Sequence, residues 1–319
     1  MNQELLWRRI YANEQKVAQE EGLVGPGENY RLTGAQDRAL ADLEGWYAQG
    51  ARAGLLEAPT GSGKTAVEFR LAVSEFLRTH KPVVVLVPTR DLARQHLNYF
   101  KKRLAGTPLH VVELHGGVAP RERSTIMQQW ESGLASIVIG SGLLLKDESF
   151  RQPLRASGFL VVDDVHALDP VVHLKPLRGV HTPALFATAT PQAVADFLRF
   201  KEAFTHVVRL EETPFETPPT AVHTLKARFG EDPVRQVGLA EAAIRAHIAS
   251  DGRIFVISRK RTDVPRLATF LQKRYGVHVS MLHGEMVDTA EQARRLQKFR
   301  QYKPDKTRVA MMGRFRETL

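Results

Sequence analysis

The 319-residue chain contains no cysteine. That removes disulfides, thiolate zinc sites, Cys-ligated iron–sulfur clusters and cysteine nucleophiles together. Long apolar runs are missing too, and none approaches the roughly 18 residues that a membrane span requires. The polar, acid-containing start, MNQELLWRRIYANEQ, is unlike a secretory signal. The expectation is a cytoplasmic protein with no membrane partner. Solenoid periods and low-complexity tracts are also absent. What remains is ordinary globular composition, 43% hydrophobic and 25% charged, over a length that suits about two domains.

Acidic residues are scarce in one region. From Asp251 to Leu319 there are 16 Lys/Arg against 7 Asp/Glu, which carries nearly all of the net charge of +10. Such a surplus is either a solvated basic face or a contact surface for a phosphate backbone.

Residues 1 to 22 read as an amphipathic helix with Leu5, Leu6, Ile10 and Val17 along one side, broken by the Gly/Pro-rich GLVGPGENY. From Ala53 to Leu210, short apolar runs alternate with helical stretches. The runs are AGLLEA (53–58), VVVLVP (83–88), LHVVEL (109–114), ASIVIG (135–140), GFLVVD (158–163), PALFAT (183–188) and THVVRL (205–210). Continuous rather than alternating apolar strands are what a parallel sheet covered on both faces requires, so the fold class is doubly wound α/β. EETPFETPPT (211–220) reads as a linker. The same grammar then resumes with a helix near Val237–Ser250, strand 253–258, helix 262–274, strand 277–282, a helix around 288–300 and strand 307–312. The domain expectation is 1–30 helix and linker, 31–212 first α/β domain, and 213–319 a second, incomplete one.

EAPTGSGKTA (57–66) fits a phosphate loop between a strand and a helix. Thr60, Gly61, Ser62 and Gly63 form its turn. The glycines let backbone N–H groups wrap phosphates, Lys64 reaches the β/γ oxygens, and the Thr65 hydroxyl ligates Mg²⁺. The partner half of such a site comes from the carboxyl end of a nearby strand. Asp163 and Asp164 end one. Asp163 is placed to hold Mg²⁺ through water, and Asp164 to orient an attacking water. Thr188 and Thr190, in the FATATP turn, are placed to couple nucleotide state to a neighbouring domain. Histidines 173, 181, 206 and 223 show no ligand spacing.

YRLTGAQ with Gln36, the loop at 58–65, VPTRDLARQH (87–96), IVIGSGLLL (137–145), VVDDVH (161–166), TATP (188–191), IFVISRK (254–260) and MLHGEM (281–286) occur in this order. Together they resemble superfamily 2 helicases and translocases, in the branch of RecG and the transcription-repair coupling factor. The resemblance runs from about Tyr30 to the last residue. It implies two tandem RecA-like domains, ATP and Mg²⁺ as cofactors, and nucleic acid as partner, DNA in preference to RNA, held between two lobes. It also implies that Gln36 recognises the adenine edge and that Lys64, Asp163 and Asp164 are catalytic. Thr89, Arg90, Gly116, Gly117, Ser141 and Gly142 would line the nucleic-acid path on the first domain, and Ser258, Arg259, His283 and Gly284 on the second.

Two departures qualify the resemblance. Asp164 stands where most relatives have Glu, one methylene longer. A misplacement of about 1 Å can cost on the order of 100-fold in rate, so slow hydrolysis is expected. The relatives also continue, after the strand resembling TRVAMM, into a turn and an arginine finger. Here GRFRETL ends the sequence, with Gly313 at the threonine position. The resemblance therefore implies truncation within motif V and weak or partner-dependent turnover, with a second chain completing the lobe. The alternative is an ATP-responsive nucleic-acid-binding or assembly module with little hydrolysis of its own.

Overall fold

The structure, a computed structural model, describes residues 2–168, 177, 181–190, 206–210, 232–249, 254–258, 262–282 and 308–313. The chain divides into two compact units, Met1–Thr217 and Pro218–Leu319.

The first unit is built on seven parallel strands: β1 (Ala53–Glu57), β2 (Val83–Val87), β3 (Val111–Leu114), β4 (Ile137–Ser141), β5 (Phe159–Val162), β6 (Ala184–Thr188) and β7 (His206–Arg209). Their spatial order is β3-β4-β2-β5-β6-β1-β7. All seven apolar runs expected as strands form them, trimmed by one or two residues at some ends. The reason is burial on both faces: every residue of β2, VVVLV, is inaccessible to solvent. Burying such side chains contributes about 1.5–3 kcal/mol each. Parallel pairing sets Val83 beside both Ile137 and Phe159, and Glu57 beside Thr188. All the strands thus end at the same edge of the sheet.

Helices α1 (Gln3–Glu20), α2 (Gly34–Ala48), α3 (Lys64–Thr79), α4 (Arg90–Arg103), α5 (Pro120–Glu131) and α6 (Arg151–Ala156) cover the faces. Helix α1 is part of this unit, with Leu6 and Ile10 in its core. Leu5, expected on the buried side, is instead 53% exposed, while Glu14 is buried. The cause is tertiary: Arg70 of α3 donates to Glu14 at 2.8 Å. The Asn13 amide donates to the carbonyls of Arg103, the last residue of α4, and Ala105 just beyond it. These partners reward rotation of the helix away from its purely apolar stripe.

The second unit contains a parallel sheet in the order β8-β10-β9, with β8 Ile254–Ser258, β9 His278–Leu282 and β10 Arg308–Gly313. Helix α9 (Asp263–Tyr275) supplies Val264, Leu267, Ala268 and Leu271 to its core. The helix expected at 237–250 is two: α7 (Pro233–Gly238) and α8 (Glu241–Ala249). It begins early because Pro233 is pre-set for a first helical turn, and Asp232 caps it by accepting from Val234 N at 2.8 Å. The linker at 211–220 and the helix around 288–300 lie outside the described residues. Among the described residues no helix is long and apolar enough to cross a membrane.

Candidate functional site

The loop after β1 is shaped by two glycines in the left-handed region, Gly61 at φ 86° and Gly63 at φ 78°. A side chain would be strained at either. At Gly63 a Cβ would also lie 2.2 Å from Gln36 Nε2. Gly63 caps α3 without a side-chain hydrogen bond, so the first-turn N–H groups have no side chain competing for them. That is the backbone arrangement of an anion site. Gln36 is buried and locked: its Oε1 accepts from Thr33 N at 3.0 Å, and its Nε2 donates to the Ser62 carbonyl at 2.6 Å. It thereby ties the start of α2 to the phosphate loop, a contact that a role at the adenine edge alone does not suggest.

Lys64 opens α3 and its ammonium pairs with both Asp163 and Asp164. Burial would lower its affinity for a proton. The carboxylates of Asp163 and Glu68 outweigh burial and hold it above the usual lysine range. Burial likewise pushes Asp163 up, but contact with His96 and the charge of Lys64 hold it well below the usual carboxylate range. Asp163 is therefore ionised, as an oxygen ligand for a hard cation must be. Its Oδ1 accepts from Asp164 N at 2.7 Å, which helps to hold Asp164 at φ 46°. Aspartate tolerates this left-handed conformation better than most residues, which gives a backbone reason for the shorter acid here.

Behind Asp163 lies a cluster that sequence reading missed. Glu68, one turn beyond Lys64 on α3, is wholly buried, and His96 of α4 is 5% exposed. His96 Nε2 lies 3.1 Å from Asp163 Oδ2 and 3.7 Å from Glu68 Oε2. Burial and the nearby charge of Asp163 push Glu68 up to about 7. For His96, burial is overcome by the two carboxylates, which raise it to about 10. The one sequence signal was a glutamate on the buried face of AVEFRLAV.

Strand β6 lies between β5 and β1. Thr188 is buried at its end, where its hydroxyl accepts from Thr190 N at 3.1 Å and lies 2.9 Å from His166 Nδ1. The Thr-Ala-Thr turn is thus joined to the segment that carries the two aspartates, while Thr190 itself is exposed.

The ends of β2, β4 and β3 continue along the same edge. Thr89 caps α4 by accepting from Leu92 N at 3.2 Å, and Arg90 follows it, exposed. The Arg90 guanidinium lies against Gly117, where a Cβ would come within 2.7 Å of Nη1. Gly116 and Gly117 are exposed. His115 accepts from Gly117 N through Nδ1 at 3.0 Å. Its burial and the charges of Arg90 and Arg94 lower it to about 4, so it is neutral. Ser141 and Gly142 are buried, and the Ser141 hydroxyl has no hydrogen-bond partner. Ser258 ends β8 in the second unit. Arg259, His283 and Gly284 lie outside the described residues.

This geometry has relatives. The profile of the DEAD/DEAH box helicases matches residues 33–197. The chain is 26% identical over 240 residues to the transcription-repair-coupling factor of Borreliella burgdorferi, covering 73% of this chain and 20% of that protein. It is 26% identical over 166 residues to the ATP-dependent DNA helicase RecG of Aquifex aeolicus, covering 51% and 20%. The chain thus spans about a fifth of the length of these curated relatives. Among solved structures, RecG bound to a three-way DNA junction aligns with a TM-score of 0.55 at 20% identity, over 97% of this chain and 42% of that one. Mss116p bound to single-stranded RNA and AMP-PNP aligns at 0.63 and 16%, over 93% and 65%. These structural likenesses bear out the RecA-like α/β fold expected from the sequence. The profile spans more than half of the chain and takes in the phosphate loop, the paired aspartates and the Thr-Ala-Thr turn, and on that ground the chain belongs to the DEAD/DEAH box helicase family.

Proposed function

We propose that this chain is the motor core of an ATP-dependent DNA helicase or translocase, with an ATP-binding lobe at 31–212 and a second lobe at 213–319. The observation that carries the reading is the meeting of Lys64 with Asp163 and Asp164, brought from β1 and β5 to one end of the sheet. The uncapped first turn of α3, Gly61, Gly63 and Lys64 would bind the phosphates of ATP. Thr60 and Ser62 complete that loop, and Gln36 would join adenine recognition to loop position. The oxygen donors Thr65 and Asp163 fit Mg²⁺. That ion would neutralise charge on the transferring phosphoryl group. Asp164, 29% exposed at its side chain, would orient the attacking water. Its short side chain makes hydrolysis slow.

Thr188 and Thr190 would relay nucleotide state through the bond between Thr188 and His166. Thr89, Arg90, Gly116 and Gly117 on the first lobe would meet the nucleic-acid backbone, with Ser258, Arg259, His283 and Gly284 on the second. Ser141 and Gly142, both expected on this path, are buried and would not meet it directly. Exposed glycine N–H groups and an arginine suit phosphates. DNA is favoured over RNA because the curated relatives described here are a DNA helicase and a transcription-repair-coupling factor. The test is steady-state ATP hydrolysis by the full chain at low salt, alone and with duplex DNA, single-stranded DNA or RNA. DNA should stimulate slow turnover more than RNA does. Tight ATP binding without stimulation by any nucleic acid would overturn the motor and leave an ATP-responsive binding module.

A further inference from the structure

Glu68 and His96 are not needed for any step above, yet with Asp163 they place three ligand-bearing side chains in the interior. One ligand atom from each lies within 4.8 Å of the others. His96 Nδ1 is 3.0 Å from the Leu92 carbonyl. A carbonyl only accepts, so Nδ1 carries the hydrogen and fixes the ring. Metal-bound histidines are commonly oriented in this way by a backbone carbonyl. The other nitrogen, Nε2, points at two carboxylates. A metal ion bound there would displace the proton that the two carboxylates otherwise hold on Nε2.

That proton leaves the cluster incompletely paired. Nε2 makes no aligned hydrogen bond, and both Glu68 oxygens lack a partner despite complete burial. Leaving such groups unpaired is costly. A divalent ion would engage all three. The separations of 3.1 and 3.7 Å from Nε2 bracket the spacing of about 3.3 Å between neighbouring ligands in a tetrahedral site with bonds of about 2.0–2.2 Å. Asp163 divides its oxygens, Oδ1 facing Lys64 and the Asp164 N–H, Oδ2 facing His96. The second oxygen is therefore available without taking the first from the nucleotide side.

We propose that Glu68, His96 and Asp163 bind one divalent first-row transition ion of the zinc class, buried behind the nucleotide site. One imidazole with two carboxylates is a donor set suited to such ions. The bound ion would brace Asp163 from behind and set the direction of its Oδ1.

The test uses the full chain stripped with a chelator, without nucleotide, and Co²⁺ as the spectroscopic probe. One Co²⁺ per chain should bind, with the visible absorption of a low-coordinate site, and Zn²⁺ should displace it. His96→Gln and Glu68→Gln should each weaken binding at least tenfold, whereas Thr65→Ala should leave it unchanged. Circular dichroism of each variant confirms that it is folded. Absence of saturable one-to-one binding by the parent chain overturns the proposal, whatever the variants do. So does binding that survives both His96→Gln and Glu68→Gln, or that is lost with Thr65→Ala. ATP binding is measured separately, so failure of this site leaves the nucleotide reading to its own test.

Discussion

Two halves of one sheet edge differ in what they do with charge. At the ends of β1, β6 and β5, charge is gathered inside: Lys64, Asp163, Glu68 and His96 are buried or nearly so and hold one another's protonation states. At the ends of β2, β4 and β3, charge is carried outside: Arg90 and Arg94 are exposed, and the buried His115 is kept neutral. A closed network fixes directions and suits chemistry on a small bound group. An open, positive surface suits a long polyanion, whose contacts are many and individually weak. Helix α4 belongs to both halves, with Arg90 at its start and His96 two turns on.

The contrast can be broken one residue at a time. The largest effect is expected from Lys64→Ala, which removes the cation shared by both aspartates. ATP turnover should fall by about 10²–10³-fold or more in steady-state assays. Asp164 comes next. Asp164→Ala should abolish the remaining turnover, while Asp164→Glu should raise it by up to about 100-fold as reach is restored. Part of that gain will be offset because glutamate fits the left-handed backbone less well. An unchanged rate in the Glu variant beside a dead Ala variant would mean that the shorter acid never limited the reaction.

On the open half the effects are smaller. Arg90→Ala should weaken DNA binding across sequences and reduce the slope of log affinity against log salt by about 1, with the KM for ATP unmoved. The smallest is His115. Its proton affinity in the fold lies below the ordinary value of 6.5, at about 4. The unfolded chain therefore takes up a proton first as pH falls through that window, and stability is lost there. His115→Gln should flatten the dependence of the thermal midpoint between pH 6.5 and 4. An unaltered slope would mean that the ring already titrates normally.

Much of the closed half was legible in the sequence, because a phosphate loop and a strand ending in two aspartates are local signals. Continuous apolar runs likewise announced every described strand. What stayed hidden depends on distance along the chain. Glu14 is buried because Arg70 reaches it, and Gln36 grips the loop through the Ser62 carbonyl. Glu68 and His96 belong to segments whose meeting only the sheet order creates. No periodicity marks a polar residue whose partner lies on another element. Leu5 failed for the same reason, since the helix turned to satisfy Glu14 and Asn13 rather than its apolar stripe alone. The early start of α7 was different: Asp232 followed by Pro233 is a local signal that outranks the apolar pattern.

The division of labour along the sheet edge is tested most directly by crossed equilibrium titrations. A non-hydrolysable ATP analogue with Mg²⁺, and separately duplex DNA, would be titrated into the parent chain, Lys64→Ala and Arg90→Ala. Lys64→Ala should lose the nucleotide and keep DNA, and Arg90→Ala should keep the nucleotide and weaken DNA. Equal loss of both ligands in either variant, or nucleotide binding that ignores Lys64, would contradict the account.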